Sequence, residues 1–172
     1  ELIVNSGGDN IAPTRPEGSL TFQETIFQAM VEGDRRPYLV AIIVPEEDKI
    51  SKLKDKEIYD LISSEVKKAN ENLSSIEKIR KFIIVRDPFS TDNGLLTPTM
   101  KIRRHKIKEM YGEELDDLYA HVGSGDISVS QVLNASAKLL EPAVPEQTEI
   151  SFSNKAPTTA GNDVYIDGVG NL

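Results

Sequence analysis

Residues 38–44 read YLVAIIV and are closed by Pro45. A short, continuous apolar run rich in β-branched residues and bounded by turn formers predicts a buried strand. Downstream, Ile58, Leu61, Ile62, Val66, Ala69 and Leu73 form one stripe with charges opposite, which predicts an amphipathic helix over Asp55–Leu73. Lys81–Val85, KFIIV, predicts a second strand.

Outward from this centre, Leu2–Val4 is β-prone and Ser6–Asn10, SGGDN, predicts a turn, because Gly, Asn and Asp tolerate positive φ. Phe22, Ile26, Met30 and Val31 recur at helical spacing, so a helix is expected from Thr21 to a terminating Gly33. Asp87–Gly94 is expected as loop. Thr99 is expected to cap a helix over Met100–Tyr111, which Glu113–Ala120 continues or restarts after Gly112. The order predicts an α+β domain, a small mixed or antiparallel sheet flanked by helices, spanning residues 1–121. Residues 122–172 are rich in Gly, Ser, Pro, Asn and Val and are expected to form a linker or poorly folded, irregular extension. Within them, Val129–Leu140 carries a helical stripe and Val164–Ile166 is a possible strand.

The chain has 172 residues, a net charge of -8 and 38% hydrophobic content, which suits one domain plus an appendage. It has no cysteine, so no disulfide framework or thiolate metal site exists. With only His105 and His121, no metal site is expected. No stretch reaches the roughly 20 apolar residues of a membrane span. The start, ELIVNSGGDN, lacks a basic region and an initiator Met, so an excised fragment or processed product is expected, in a reducing cytoplasm. The acidic balance argues against a nucleic-acid surface.

Against that balance, residues 95–107 read LLTPTMKIRRHKI. Lys101, Arg103, Arg104, His105, Lys106 and Lys108 follow a Thr-Pro-Thr turn, where Pro98 and a Thr99 cap would place Lys101 in a first helical turn. A cation is unfavourable there without a partner, because the helix N-terminus already carries partial positive charge. One reading is an anion site, with Lys101 as a compact charge for a phosphate. The other is a solvated charged face, and the residues alone leave both open. The Gly7-Gly8 pair could let backbone N–H groups approach a ligand or could be an ordinary turn, which is favoured in isolation. The carboxylates at Glu46–Asp48 and Glu113–Asp117 read as solvated helix starts, and His105 and His121 as surface residues.

Taken together, Ile3–Pro13 (IVNSGGDNIAP), the strand Tyr38–Pro45 and Leu96–Arg104 (LTPTMKIRR) resemble the C-terminal domain of adenylate-forming enzymes, within the long-chain fatty-acid–CoA ligase branch. The resemblance covers residues 1–121. It implies a small lid that rotates on a large N-terminal adenylating domain of the same protein. In one orientation a fatty carboxylate attacks the α-phosphate of ATP, giving acyl-AMP and pyrophosphate. In the other, the CoA thiol displaces AMP.

The resemblance implies that Lys101 is the catalytic lysine of adenylation and that Gly8 lines the CoA channel. Asn10, Pro13 and Glu17 match the motif around that turn and would shape it, with Asn10 a further candidate for CoA contact. Arg103 and Arg104 would support CoA phosphates or docking. ATP and CoA are the implied substrates, with Mg2+ accompanying ATP on the N-terminal domain and no cofactor held by residues 1–172 alone. Many family members carry Gly before the lysine, whereas this chain has Met100, which suits the long-chain branch. Arg15-Pro16 interrupts the usual acidic pattern, so the helix there is expected to start late. The phosphate loop and acyl tunnel are not in this sequence, so the fragment by itself is expected to be inactive. Because the substrate is lipid-like, peripheral association with the inner face of a membrane is expected for the full enzyme. A reading from another class is a non-catalytic module whose basic helix at 101–108 grips an anionic partner or membrane surface.

Overall fold

In β4 (Leu39–Pro45) every residue is buried, and the structure shows why its sequence does not alternate. Leu39, Ala41 and Ile43 point into one core, while Val40, Ile42 and Val44 point into a second core on the opposite face. Side chains alternate across a strand. A strand covered on both faces is therefore apolar throughout. The computed structural model describes residues 1–120 and 132–133.

Strands β1 (Ile3–Val4) and β2 (Asn10–Ile11) form a small antiparallel hairpin. Helix α1 (Thr14–Thr21) follows directly. It does not start late: Pro16 lies in the first turn, where its missing N–H has no intrahelical partner to lose. Strand β3 (Ile26–Glu32) then pairs antiparallel with β4. Helices α2 (Glu47–Ile50) and α3 (Asp55–Asn70) carry the chain over to β5 (Ile79–Val85), which runs parallel to β4. Helix α4 (Arg104–Ala120) covers the other face, with a non-helical kink at Tyr111. The last strand, β6 (Val132–Leu133), pairs parallel with Ile84 and Val85. The main sheet is thus mixed, in the order β3-β4-β5-β6, with α1 and α3 packed on one face and α4 on the other.

The α+β architecture, the strands at 39–45 and 79–85 and the helix from Asp55 agree with the sequence reading. Three local expectations are corrected. Residues 26–32, expected as helix, form strand β3, while the helix lies earlier, over Thr14–Thr21. The stripe that suggested a helix is not one face: Val31 and Ile26 point into one core, Met30 into the opposite core, and Phe22 lies exposed before the strand. Both faces of β3 are covered, and a bulge between Ile26 and Gln28 further disturbs its period of two. Gly33 ends a strand rather than a helix. A Cβ there would lie 2.5 Å from Leu39 Cδ2 at the start of β4. Val132 and Leu133, expected within a helical stripe, are strand, because the free edge of β5 offers unpaired backbone groups. All described residues belong to one compact unit, Glu1–Ala135. His121, the remainder of the expected 122–172 extension and the possible strand Val164–Ile166 lie outside the described residues. Glu113–Asp117 sits inside α4 rather than at a helix start.

The α4 core contains two buried tyrosines. Burial pushes the Tyr111 phenol up to about 12, with Asp87 and Glu114 adding. Burial also raises Tyr119, whose hydroxyl donates to Tyr38 O at 2.9 Å. Both folded values are raised, so the stability they contribute is complete below the ordinary value of 10.0 and is lost as pH rises toward about 12. The free energy of unfolding, measured in urea, is expected to fall across that window, by on the order of 2 kcal/mol for Tyr111. Tyr111→Phe should flatten part of the fall; an unchanged slope would contradict the assignment.

Candidate functional site

The basic run does not begin a helix at Met100. Residues 96–102 form a tight hairpin, with Leu96 and Ile102 bridged antiparallel, and α4 starts at Arg104. Thr97 N donates to Lys101 O at 2.8 Å, and Met100 N to Thr97 O at 2.8 Å. The Thr99 hydroxyl lies 3.0 Å from Thr97 Oγ1 instead of capping a helix. Met100 holds φ at 67°, a left-handed conformation that side chains with a Cβ disfavour. Lys101 projects from this hairpin exposed to solvent. Among the described residues it makes no ion pair.

Its basic neighbours are different. The Arg104 guanidinium grips Glu17 with two bonds, Nη1 to Oε2 at 2.6 Å and Nη2 to Oε1 at 2.8 Å. Glu17 Oε2 also accepts from Val31 N at 2.9 Å, so its carboxylate is satisfied although buried. Glu1 lies 3.4 Å from Arg104 Nε. Burial opposes the Arg104 charge, but hydrogen bonding and attraction to Glu17 outweigh it and raise the pKa further, with Glu1 and Glu32 adding. Lys106 pairs with Glu109 and Lys108 with Glu32. Arg103 donates to Gly94 O at 3.3 Å, which ties the helix start to the preceding loop. The cationic helix start that looked unfavourable is therefore neutralised within the chain, chiefly by Glu17.

Gly8 sits at the tip of the β1–β2 hairpin with φ at 90°, where glycine alone is unstrained. The turn is built around Asn5. Its Oδ1 accepts from Gly7 N and Asp9 N, each at 2.9 Å, and its backbone O accepts from Gly8 N at 3.0 Å. A Cβ on Gly8 would meet nothing within 4 Å. Asn10 is exposed and paired with Val4 in the hairpin register. Gly8 and Lys101 thus stand on separate tight turns. Arg104 joins their supports, because it reaches both Glu1 beside β1 and Glu17 in α1.

An apolar groove, not legible from the sequence, lies beside Lys101. It has a volume of about 450 Å³ and is lined by Thr14, Gly18, Thr21, Phe27, Gln28, Phe89, Leu96, Met100 and Ile102 among others. Phe22, at the end of α1, is 85% exposed, and Met100 and Phe27 are 66% and 47% exposed. With a helix expected over Phe22 and Phe27, their outward direction is not legible from the sequence. Among the described residues, no group of three or more acidic or histidine side chains could hold a metal ion.

Residues 1–123 match the family model described as AMP-binding enzyme C-terminal domain. The chain is 36% identical over 135 residues to the long-chain-fatty-acid–CoA ligase FadD15 of Mycobacterium tuberculosis, covering 69% of this chain and 22% of that protein. It is 36% identical over 124 residues to the chloroplastic long-chain-fatty-acid–[acyl-carrier-protein] ligase AEE15 of Arabidopsis thaliana, covering 70% and 17%. Among solved structures, the A-PCP didomain of carboxylic acid reductase from Segniliparus rugosus, in complex with AMP, superposes with a TM-score of 0.63 at 32% identity, covering 69% and 17%. The chain therefore spans about a fifth of the length of the relatives it matches.

Proposed function

Since this chain belongs to the AMP-binding enzyme C-terminal domain family, we propose that it is the mobile C-terminal domain of a long-chain fatty acyl-CoA synthetase, with Lys101 serving adenylation. The observation that carries this is electrostatic. Arg104, Lys106 and Lys108 each have a carboxylate partner, whereas the exposed Lys101 stands on a fixed hairpin with none among the described residues. A compact ammonium held in this way suits charge that builds on a phosphoryl group. The same pairing weakens the reading of 101–108 as a basic grip for an anionic surface, since among the described residues only Lys101 and Arg103 of its five permanent cations lack a carboxylate partner.

In the first half-reaction the fatty carboxylate oxygen attacks the α-phosphorus and the bond to pyrophosphate breaks. Lys101 would hold the carboxylate and α-phosphate oxygens as charge develops, making it a catalytic residue. In the second, the CoA sulfur attacks the acyl carbon and AMP departs, with Gly8 beside the thiol arm. Mg2+ would accompany ATP on a larger preceding domain, and the apolar groove with Phe27 and Met100 is a surface such a domain would cover. The full enzyme would be cytoplasmic, lying peripherally on the inner face of a membrane. No described helix is long and apolar enough to cross a membrane.

The test is product analysis of the full-length protein with palmitate, ATP and CoA. Palmitoyl-CoA, AMP and pyrophosphate are expected. Palmitaldehyde formed only with NADPH would replace this reading with a reductase, and failure to activate any fatty acid would remove it. Gly8 gives a separate prediction. Alanine and leucine carry the same backbone strain at φ 90°, of order 1–3 kcal/mol, and neither meets this chain's own atoms. Gly8→Leu should therefore slow thioester formation from supplied acyl-AMP by about tenfold beyond Gly8→Ala, leaving adenylation close to its Gly8→Ala rate. Equal effects of the two substitutions would show that nothing outside the chain approaches Gly8.

A further inference from the structure

We infer that Thr97 is a positioning residue for Lys101, an inference that rests on the adenylation reading above. Thr97 touches the lysine's backbone from both sides. Its N–H donates to Lys101 O at 2.8 Å, and its hydroxyl oxygen accepts from Lys101 N at 3.0 Å. Its carbonyl accepts from Met100 N at 2.8 Å, and its hydroxyl is shared with Thr99 Oγ1 at 3.0 Å. Between these bonds Met100 is held at φ 67°. A methionine does not adopt that conformation unless the surroundings over-determine it. The backbone bonds would form with any residue at 97. Only the hydroxyl bond depends on the side chain, and it fixes the peptide from which the Lys101 side chain departs.

Lys101 is exposed and Thr97 only partly buried. Without the hydroxyl, water can satisfy Lys101 N, so the domain stays folded while the hairpin samples other conformers. The lysine then occupies its working geometry for less of the time. Such a loss falls on the step that Lys101 serves and on kcat rather than on substrate binding, because misplacement of a catalytic group acts in the transition state.

The experiment uses the full-length protein, measuring pyrophosphate release with palmitate and ATP, and palmitoyl-CoA formation from supplied palmitoyl-AMP. Thr97→Val keeps the side-chain shape and removes the acceptor. It should lower the adenylation kcat by about tenfold to a hundredfold, with KM for ATP and palmitate, the melting temperature and the thioester step close to unchanged. Thr97→Ser keeps the oxygen and should restore the rate. Wild-type adenylation by Thr97→Val alongside collapse in Lys101→Ala would overturn this inference alone. A loss spread equally over both half-reactions, or one that serine does not rescue, would do the same. Unimpaired adenylation by Lys101→Ala would overturn the reading beneath it.

Discussion

Lys101→Ala in the full-length protein is expected to slow acyl-adenylate formation by a few hundred-fold or more. That is the effect of removing one preorganised contact to a developing charge, about 3–4 kcal/mol. The structure makes this substitution clean. The Lys101 side chain is exposed, has no ion pair among the described residues, and is held only through its backbone, whose bonds to Thr97 do not depend on the ammonium. Folding and thermal stability should therefore stay near wild type. Thioester formation from supplied acyl-AMP should survive better, because that attack is on the acyl carbon and no bond to the α-phosphorus forms or breaks. The check is a pair of single-turnover measurements, one per half-reaction, on the same preparation. Equal loss in both would end the role assigned to Lys101, and so would a parallel fall in melting temperature.

Arg104→Ala should have an opposite profile, with a large loss of stability as the primary effect. Glu17 is 8% exposed, and its carboxylate takes two guanidinium bonds and the Val31 N–H. Truncating Arg104 leaves a buried carboxylate without its counter-charge, which costs about 3–5 kcal/mol. The low end applies, because the Arg104 side chain keeps 17% exposure. Urea unfolding of the chain measures this directly. Arg104→Lys should lose less, since it retains the charge but not the paired geometry. Replacing both partners by apolar residues, Glu17→Leu with Arg104→Met, should be milder than Arg104→Ala, because no uncompensated charge stays buried. A double variant as unstable as the single one would mean that the pair's geometry, rather than its charge balance, dominates. The identical pair also argues against a phosphate contact by Arg104, as its guanidinium is already occupied by Glu17 and Glu1.

These two residues lie three positions apart in one basic run, yet their surroundings differ completely. The run itself was legible as a basic segment in an acidic chain, and its motif set the lysine apart. The division of labour was not. Which cations would be neutralised depended on Glu17, 87 positions away from Arg104, and on Glu32 from the end of β3. Neither carboxylate is near the run in sequence. The expected helix start at Met100 failed for a related reason. Pro98 and Thr99 resemble a capping signal, but the Leu96–Ile102 bridge and the Thr97 bonds close a hairpin first. That displaces the helix to Arg104 and removes Lys101 from the dipole that had made it look anomalous.

The sequence by itself determined the centre of the fold. Residues 39–45, 55–70 and 79–85 declare strand, helix and strand, because burial on both faces or on one stripe leaves a local period that any reader of the chain can detect. It also determined the turn that carries Gly8, since turn chemistry is local too. The tertiary structure alone decided the rest. The bulge in β3 depends on its register against β4, the β6 pairing on the open edge of β5, and the fate of each cation on a distant carboxylate. Periodicity records which way a residue faces relative to its neighbours in the chain. It carries no record of which distant group waits there, and that pairing is what separates a structural arginine from a lysine left free to act.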